Sequence, residues 1–166
     1  MAFLIVSFLI AFFAAAYVTW TAGRLQRLHD RCSAARASLD AQLVRRAAAA
    51  AALARDHAGV LGERAGLLAA AAQTALHSGE EGREVAESDL TRELRHLPWV
   101  GTEPAMADVL TAAGRMTLAR QIYNDAVRDT LSLRHRRLPR ALRLSAGRPW
   151  PKYFDIDDTP PGRLPA

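Results

Sequence analysis

The first 23 residues, MAFLIVSFLIAFFAAAYVTWTAG, carry no charged side chain, and Arg24 then opens a strongly basic stretch. A helix of about 20 apolar residues spans the ~30 Å hydrocarbon core of a bilayer. Tyr17 and Trp20 fall where an interfacial aromatic belt sits. The run is long for the apolar region of a cleaved signal peptide, and no Lys or Arg precedes it, although Ala14-Ala15-Ala16 offers a small-residue cleavage site. A buried core helix rarely runs this long without a polar face. The expectation is an uncleaved transmembrane anchor over residues 1–23. Arg24, Arg27, Arg31 and Arg36 on its C-terminal flank predict, by the positive-inside rule, an N-terminus outside and residues 24–166 in the cytoplasm. The single cysteine, Cys32, agrees with a reducing compartment.

The remainder is long enough for one domain with its own core. Alanine, leucine and arginine dominate, β-branched residues are few, and helix is favoured over strand. Lys152 is the sole lysine among 22 Lys and Arg, a bias that resembles codon usage more than a binding code. Charge alternates in blocks: residues 24–77 are net basic, 78–108 acidic, 109–153 strongly basic, and 154–166 acidic. Such blocks point to pairing within or between chains rather than to one uniform nucleic-acid surface, and no nucleic-acid partner is expected.

Apolar residues at Leu25, Leu28, Cys32, Ala35 and Leu39 step by 3, 4, 3, 4, the period of a coiled-coil seam. No Gly or Pro lies between Arg24 and His57, so one helix is predicted over 24–77, bent near Gly59, with Gly59, Gly62 and Gly66 each weakening it by about 1 kcal/mol relative to alanine. The alanine run 47–52 is ideal helix but poor core. Residues 78–82 read as a loop. Glu84 to Leu97 reads as a short helix with Val85, Leu90, Leu94 and Leu97 on its apolar side, stopped by Pro98 and followed by a turn at Trp99-Val100-Gly101. Thr102 is placed as the N-cap of a last helix from Glu103 to Leu138. There Ala112, Met116, Ala119, Tyr123, Ala126, Thr130 and Leu133 step by 4, 3, 4, 3, 4, 3, a second seam suited to antiparallel packing on the first. Residues 145–166 hold five prolines and read as an extended, partly disordered tail. The fold class is all-α: one transmembrane helix (1–23), then an antiparallel bundle of three to four helices with a long coiled-coil-like hairpin (24–144), then the tail (145–166).

The five histidines, at 29, 57, 77, 96 and 135, never stand three or four apart and do not pair with Cys32 at ligand spacing, so neither a metal nor a cofactor is expected. Solvated or capping roles suit them better. Asp155-Ile156-Asp157-Asp158-Thr159 matches the D-x-D-x-T signature of aspartyl-phosphate phosphotransferases, but that chemistry needs an α/β scaffold, and the chain has no βαβ pattern. There is no phosphate-binding glycine loop and no nucleophile elbow, and the expectation is a protein that is not an enzyme. Ser33 and Ser38, in an alanine context, suggest close helix packing.

Arg134, Arg136, Arg137, Arg140 and Arg143 form a basic end on the last helix. It suits either anionic lipid headgroups, at ~1 kcal/mol per residue near the surface, or complementation of the helix C-terminus. A polar set crosses the alanine–leucine seams, and Asp40 or Gln42 is expected to meet Arg120 or Asn124 between helices and fix their register.

Three segments together resemble a known family. ARASLDAQLVRR (Ala35–Arg46), directly after an anchor, resembles the first conserved segment of the LemA family. ARQIYNDAVRD (Ala119–Asp129) is similar to its second signature, and PWPKYFDID (Pro149–Asp157) to its terminal motif. The resemblance implies a bacterial inner-membrane protein with one anchor and a cytoplasmic antiparallel helical bundle, and it implies no reaction. Its signature positions here are Asp40, Arg45, Arg46, Tyr123, Asn124, Asp125 and Val127. The chain departs from the family in having Ala47–Ala54 where a proline-containing apolar segment is usual. Two functional expectations follow. One is a scaffold that self-associates at the membrane. The other is a monomeric adaptor or receptor for a different membrane signalling or secretion protein.

Overall fold

The computed structural model describes residues 1–97, 104–134 and 150–158. All regular structure among them is helical. The helices are α1 (Ala2–Asp56), α2 (Ala58–Leu61), α3 (Glu63–His77), α4 (Arg83–Arg95) and α5 (Pro104–Arg134). The expected turn at Trp99-Val100-Gly101, the N-cap at Thr102, the helix end near Leu138 and the arginines at 136, 137, 140 and 143 lie outside the described residues, as does the side chain of Arg134.

α1 is a single helix of 55 residues that carries the apolar N-terminal run straight into the basic region. Its apolar window has a mean hydropathy of 2.2 and none of it is buried, so α1 is long and apolar enough to cross a membrane. Tyr17 and Trp20 lie with ring centroids 6.2 Å apart, and the Arg24 guanidinium stands 5.7 Å from the Trp20 ring centre. This places cation and aromatic together at the end of the apolar run, where a cation–π contact is favourable.

The helix expected to continue through residue 77 is instead interrupted twice. His57 leaves helical geometry at φ −120°, ψ 24°, and Gly62 adopts φ 57°, ψ −132°. Only glycine reaches that region of backbone space without a steric penalty. The single turn α2 between these points is held by Leu61, which is buried, and the expected bend at Gly59 becomes a break at Gly62. An added Cβ at Gly62 would touch nothing within 4 Å, so the cost of Gly62→Ala is purely one of backbone conformation. We expect it to destabilise the protein by about 1–3 kcal/mol in chemical denaturation, whereas Gly66→Ala, at an ordinary helical position with equally open space, should be neutral or stabilising.

By chain contacts the molecule divides into two units, Met1–Ala34 with Asn124–Lys152, and Ala35–Tyr123 with Tyr153–Ala166. In the first, Leu25 and Cys32 on α1 and Ala126, Val127, Thr130 and Leu133 on α5 are buried, with Leu28 half-buried. In the second, one core draws on Ala47, Ala50, Leu53 and Ala54 of α1, Leu61 of α2, Leu68, Ala72 and Ala75 of α3, Leu90 and Leu94 of α4, and Met106 and Val109 of α5. Two alanines of the run, Ala47 and Ala50, are therefore core, because small side chains let neighbouring backbones come close, while Ala48 is exposed. α3 and α4 pack against each other across the loop 78–82.

Three local expectations are corrected. Val85 is 66% exposed, and the buried face of α4 is Ala86, Glu87, Leu90, Thr91 and Leu94. Ser33 and Ser38 are exposed and ease no packing. The tail is seated rather than disordered over Tyr153–Asp158, where Phe154 is 1% and Ile156 is 7% exposed.

Candidate functional site: an arginine-lined seat for the terminal segment

The polar chemistry of the second unit gathers in two linked places. The first is a buried ion pair. Arg46 sits one turn past Leu43 on the inward side of α1 and is 2% exposed; Glu87, on the buried face of α4, is fully buried. Arg46 Nη2 donates to Glu87 Oε2 at 2.7 Å and to the Glu87 carbonyl at 2.8 Å, and Nη1 donates to Thr91 Oγ1 at 3.0 Å. Thr91 in turn donates to the Glu87 carbonyl at 3.0 Å, which fixes its hydroxyl as an acceptor for arginine. Arg46 Nε and Glu87 Oε1 have no hydrogen-bond partner among the described residues. Burial removes water from both ions. It lowers the Arg46 pKa and raises that of Glu87, and the attraction between them offsets only part of each shift.

The second place is the seat of the terminal segment, which lies extended without helix or strand pairing. Its side chains alternate: Phe154 and Ile156 are buried while Asp155 is exposed, the two-residue period of an extended chain on an apolar surface. The Arg36 guanidinium of α1 stands 5.5 Å from the Tyr123 ring centre and 5.3 Å from that of Phe154, so one cation faces an aromatic ring of α5 and one of the segment. Arg36 also reaches Asp40 at 3.6 Å and Glu80 at 3.7 Å. The Asp155 amide donates to Glu84 Oε1 at 3.0 Å. Arg95 of α4 pairs with Asp157. Arg120 of α5 donates through Nη2 and Nε to Asp158 Oδ2 at 2.6 and 3.2 Å. Asp157 and Asp158 also act on Arg46 through their charge, which links the two places electrostatically.

Several residues singled out from the sequence meet here in unexpected pairings. Arg46 and Tyr123 are buried in the network, and Arg120 is committed to Asp158 rather than to Asp40 or Gln42. Asp40 pairs along its own helix with Arg36, and Gln42 Oε1 is buried without a hydrogen-bond partner among the described residues. Arg45 is exposed, Asn124 is half-buried, Asp125 forms an exposed pair with Arg128 at 2.6 Å, and Val127 is buried. Sequence reasoning missed Glu87, Thr91 and Arg95. The signal for the first two was present as Glu87-x-x-x-Thr91 beside Leu90 and Leu94, which puts a carboxylate and a hydroxyl on the apolar side of α4.

Chemically, the arrangement clamps a peptide. Guanidinium groups hold carboxylates, and aromatic rings hold a guanidinium. Asp157, part of the phosphotransferase-like signature, is spent on Arg95. No group of three or more His, Cys, Asp or Glu side chains able to hold a metal occurs among the described residues. No known protein-family profile, curated protein or solved structure matches the chain.

Proposed function

We propose that the chain is a LemA-like, single-pass protein of the bacterial inner membrane, with its N-terminus outside and residues 24–166 at the cytoplasmic face, and that it works by self-association rather than by catalysis. In this reading the seams of α1 and α5 pack as an antiparallel, coiled-coil-like hairpin. The exposed, charge-free stretch of α1 and the arginines that follow it support the anchor and its orientation.

The observation that carries self-association is a second row on α1. Ala37, Ala41, Val44 and Ala48 step by 4, 3, 4 and are all exposed, while Leu39, Leu43, Ala47 and Ala50 are buried. One seam of the helix is used internally and the other faces outward. Small side chains on it let a second helix approach closely. The partner is a second copy of the chain. Cross-linking of the full-length protein in its own membranes, followed by mass analysis, should give a ladder of self-multiples. Val44→Glu should reduce that ladder several-fold while changing stability by no more than about 0.5 kcal/mol, because the site is exposed. A single adduct with one different protein and no ladder would replace this reading with that of a monomeric adaptor.

A further inference from the structure

The seat of the terminal segment is built like a peptide-binding groove already filled by its ligand. Its walls come from three helices: Arg36 on α1, Glu84 and Arg95 on α4, and Arg120 and Tyr123 on α5. Its occupant, Tyr-Phe-Asp-Ile-Asp-Asp (Tyr153–Asp158), is an extended hexapeptide that inserts one aromatic and one aliphatic side chain and presents acids to arginines. Every feature of that fit belongs to the six residues themselves. None depends on the occupant being joined to the helices it touches.

We propose that the same groove accepts the Tyr153–Asp158 segment of a second copy, so that copies exchange terminal segments. Three observations favour a second copy over an unrelated partner. The groove is complementary to this sequence in charge and in spacing, with Arg95 opposite Asp157 and Arg120 opposite Asp158. The ionic contacts that hold the segment are part-exposed, which leaves them open to competition from solvent and from an identical segment. Exchange between identical elements also needs no new interface, since the contacts made in trans are those made in cis. Anchoring on one membrane would raise the effective concentration of neighbouring copies and favour exchange. The proposal rests on the self-association reading but uses a different surface from the outward row of α1.

The pair Glu84–Asp155 supplies the test, because the Asp155 backbone is in hydrogen-bond contact with the Glu84 side chain. Two full-length chains, one with Glu84→Cys and one with Asp155→Cys, would be reconstituted together in vesicles and treated with a short thiol cross-linker. Neither chain can form the 84–155 link by itself. Exchange should yield a heterodimer joined through positions 84 and 155, identified by mass spectrometry, and excess Tyr-Phe-Asp-Ile-Asp-Asp peptide should lower its yield several-fold. A chain carrying both cysteines reports whether the seat closes in cis. An internal link in that chain with no heterodimer in the mixture would overturn exchange. Combining both cysteine chains with Val44→Glu separates the two readings. Heterodimers that persist as the ladder collapses support both surfaces independently. A ladder without 84–155 heterodimers removes exchange alone, and a ladder that persists unchanged in the Val44→Glu chains removes the α1 row alone.

Discussion

Arg46→Leu should destabilise the protein by about 3–5 kcal/mol at neutral pH in chemical denaturation, because it leaves Glu87 buried without its ion-pair partner. Stability should also acquire a pronounced pH dependence. Burial already raises the Glu87 pKa above its ordinary value of 4.5, and Arg46 is the main influence pulling it back down. Without Arg46 the carboxyl rises further. A carboxyl whose folded pKa exceeds its unfolded one takes up a proton on folding in the window between the two, so stability grows as pH falls through the folded value toward 4.5. The variant should therefore unfold more easily at pH 8 than at pH 5, and the wild type should show the same sign with smaller amplitude. The double variant Arg46→Met, Glu87→Leu should recover most of the loss, since a well-packed apolar pair of similar volume commonly matches or exceeds a buried ion pair. A single variant that loses under about 1 kcal/mol would mean that the pair is solvated in solution.

Phe154→Ala should cost about 3–5 kcal/mol, the range for deleting a buried aromatic ring. An extended terminal segment would ordinarily tolerate truncation of a side chain, so this loss distinguishes a seated segment from a loose one. The ring also faces the Arg36 guanidinium, and its removal leaves that cation with Tyr123 as its aromatic neighbour. Phe154→Leu keeps most of the apolar volume and should cost less than half as much. Differential scanning of the two variants beside the wild type would decide the matter. Equal and negligible losses would show that the segment contributes nothing to the fold.

Much of the architecture was legible in the chain because it depends on local periodicity. Absence of charge over residues 1–23 specifies an apolar helix whatever follows it. The 3–4 steps of Leu25, Cys32, Ala35 and Leu39, and of Met116, Ala119, Tyr123 and Ala126, specify which side of each helix turns inward, and these residues are buried. The short fourth helix also followed, from the loop at 78–82 and the apolar residues Leu90 and Leu94, expected over Glu84–Leu97 and found over Arg83–Arg95.

Pairings across the fold were not legible in the same way. Asp40 or Gln42 was the expected partner of Arg120, and only the packed arrangement assigns it to Asp158. The alanine run promised little area, yet Ala47 and Ala50 are fully buried, because closeness of neighbouring backbones rather than side-chain size excludes water there. The terminal segment shows the division most clearly. Its prolines and acids are those of a disordered tail, and its composition alone buries too little to offset the entropy of ordering it. A groove lined by Arg36, Tyr123, Arg95 and Arg120 supplies the missing free energy, through partners 38 to 118 positions away in sequence. Thus the sequence determined the apolar N-terminal helix, the helical character of the chain and the inward faces of its long helices, all of which arise from interactions within a few residues. The tertiary structure alone decided which charge meets which and where the chain's terminal segment lies, since those energies exist only once distant residues are brought together.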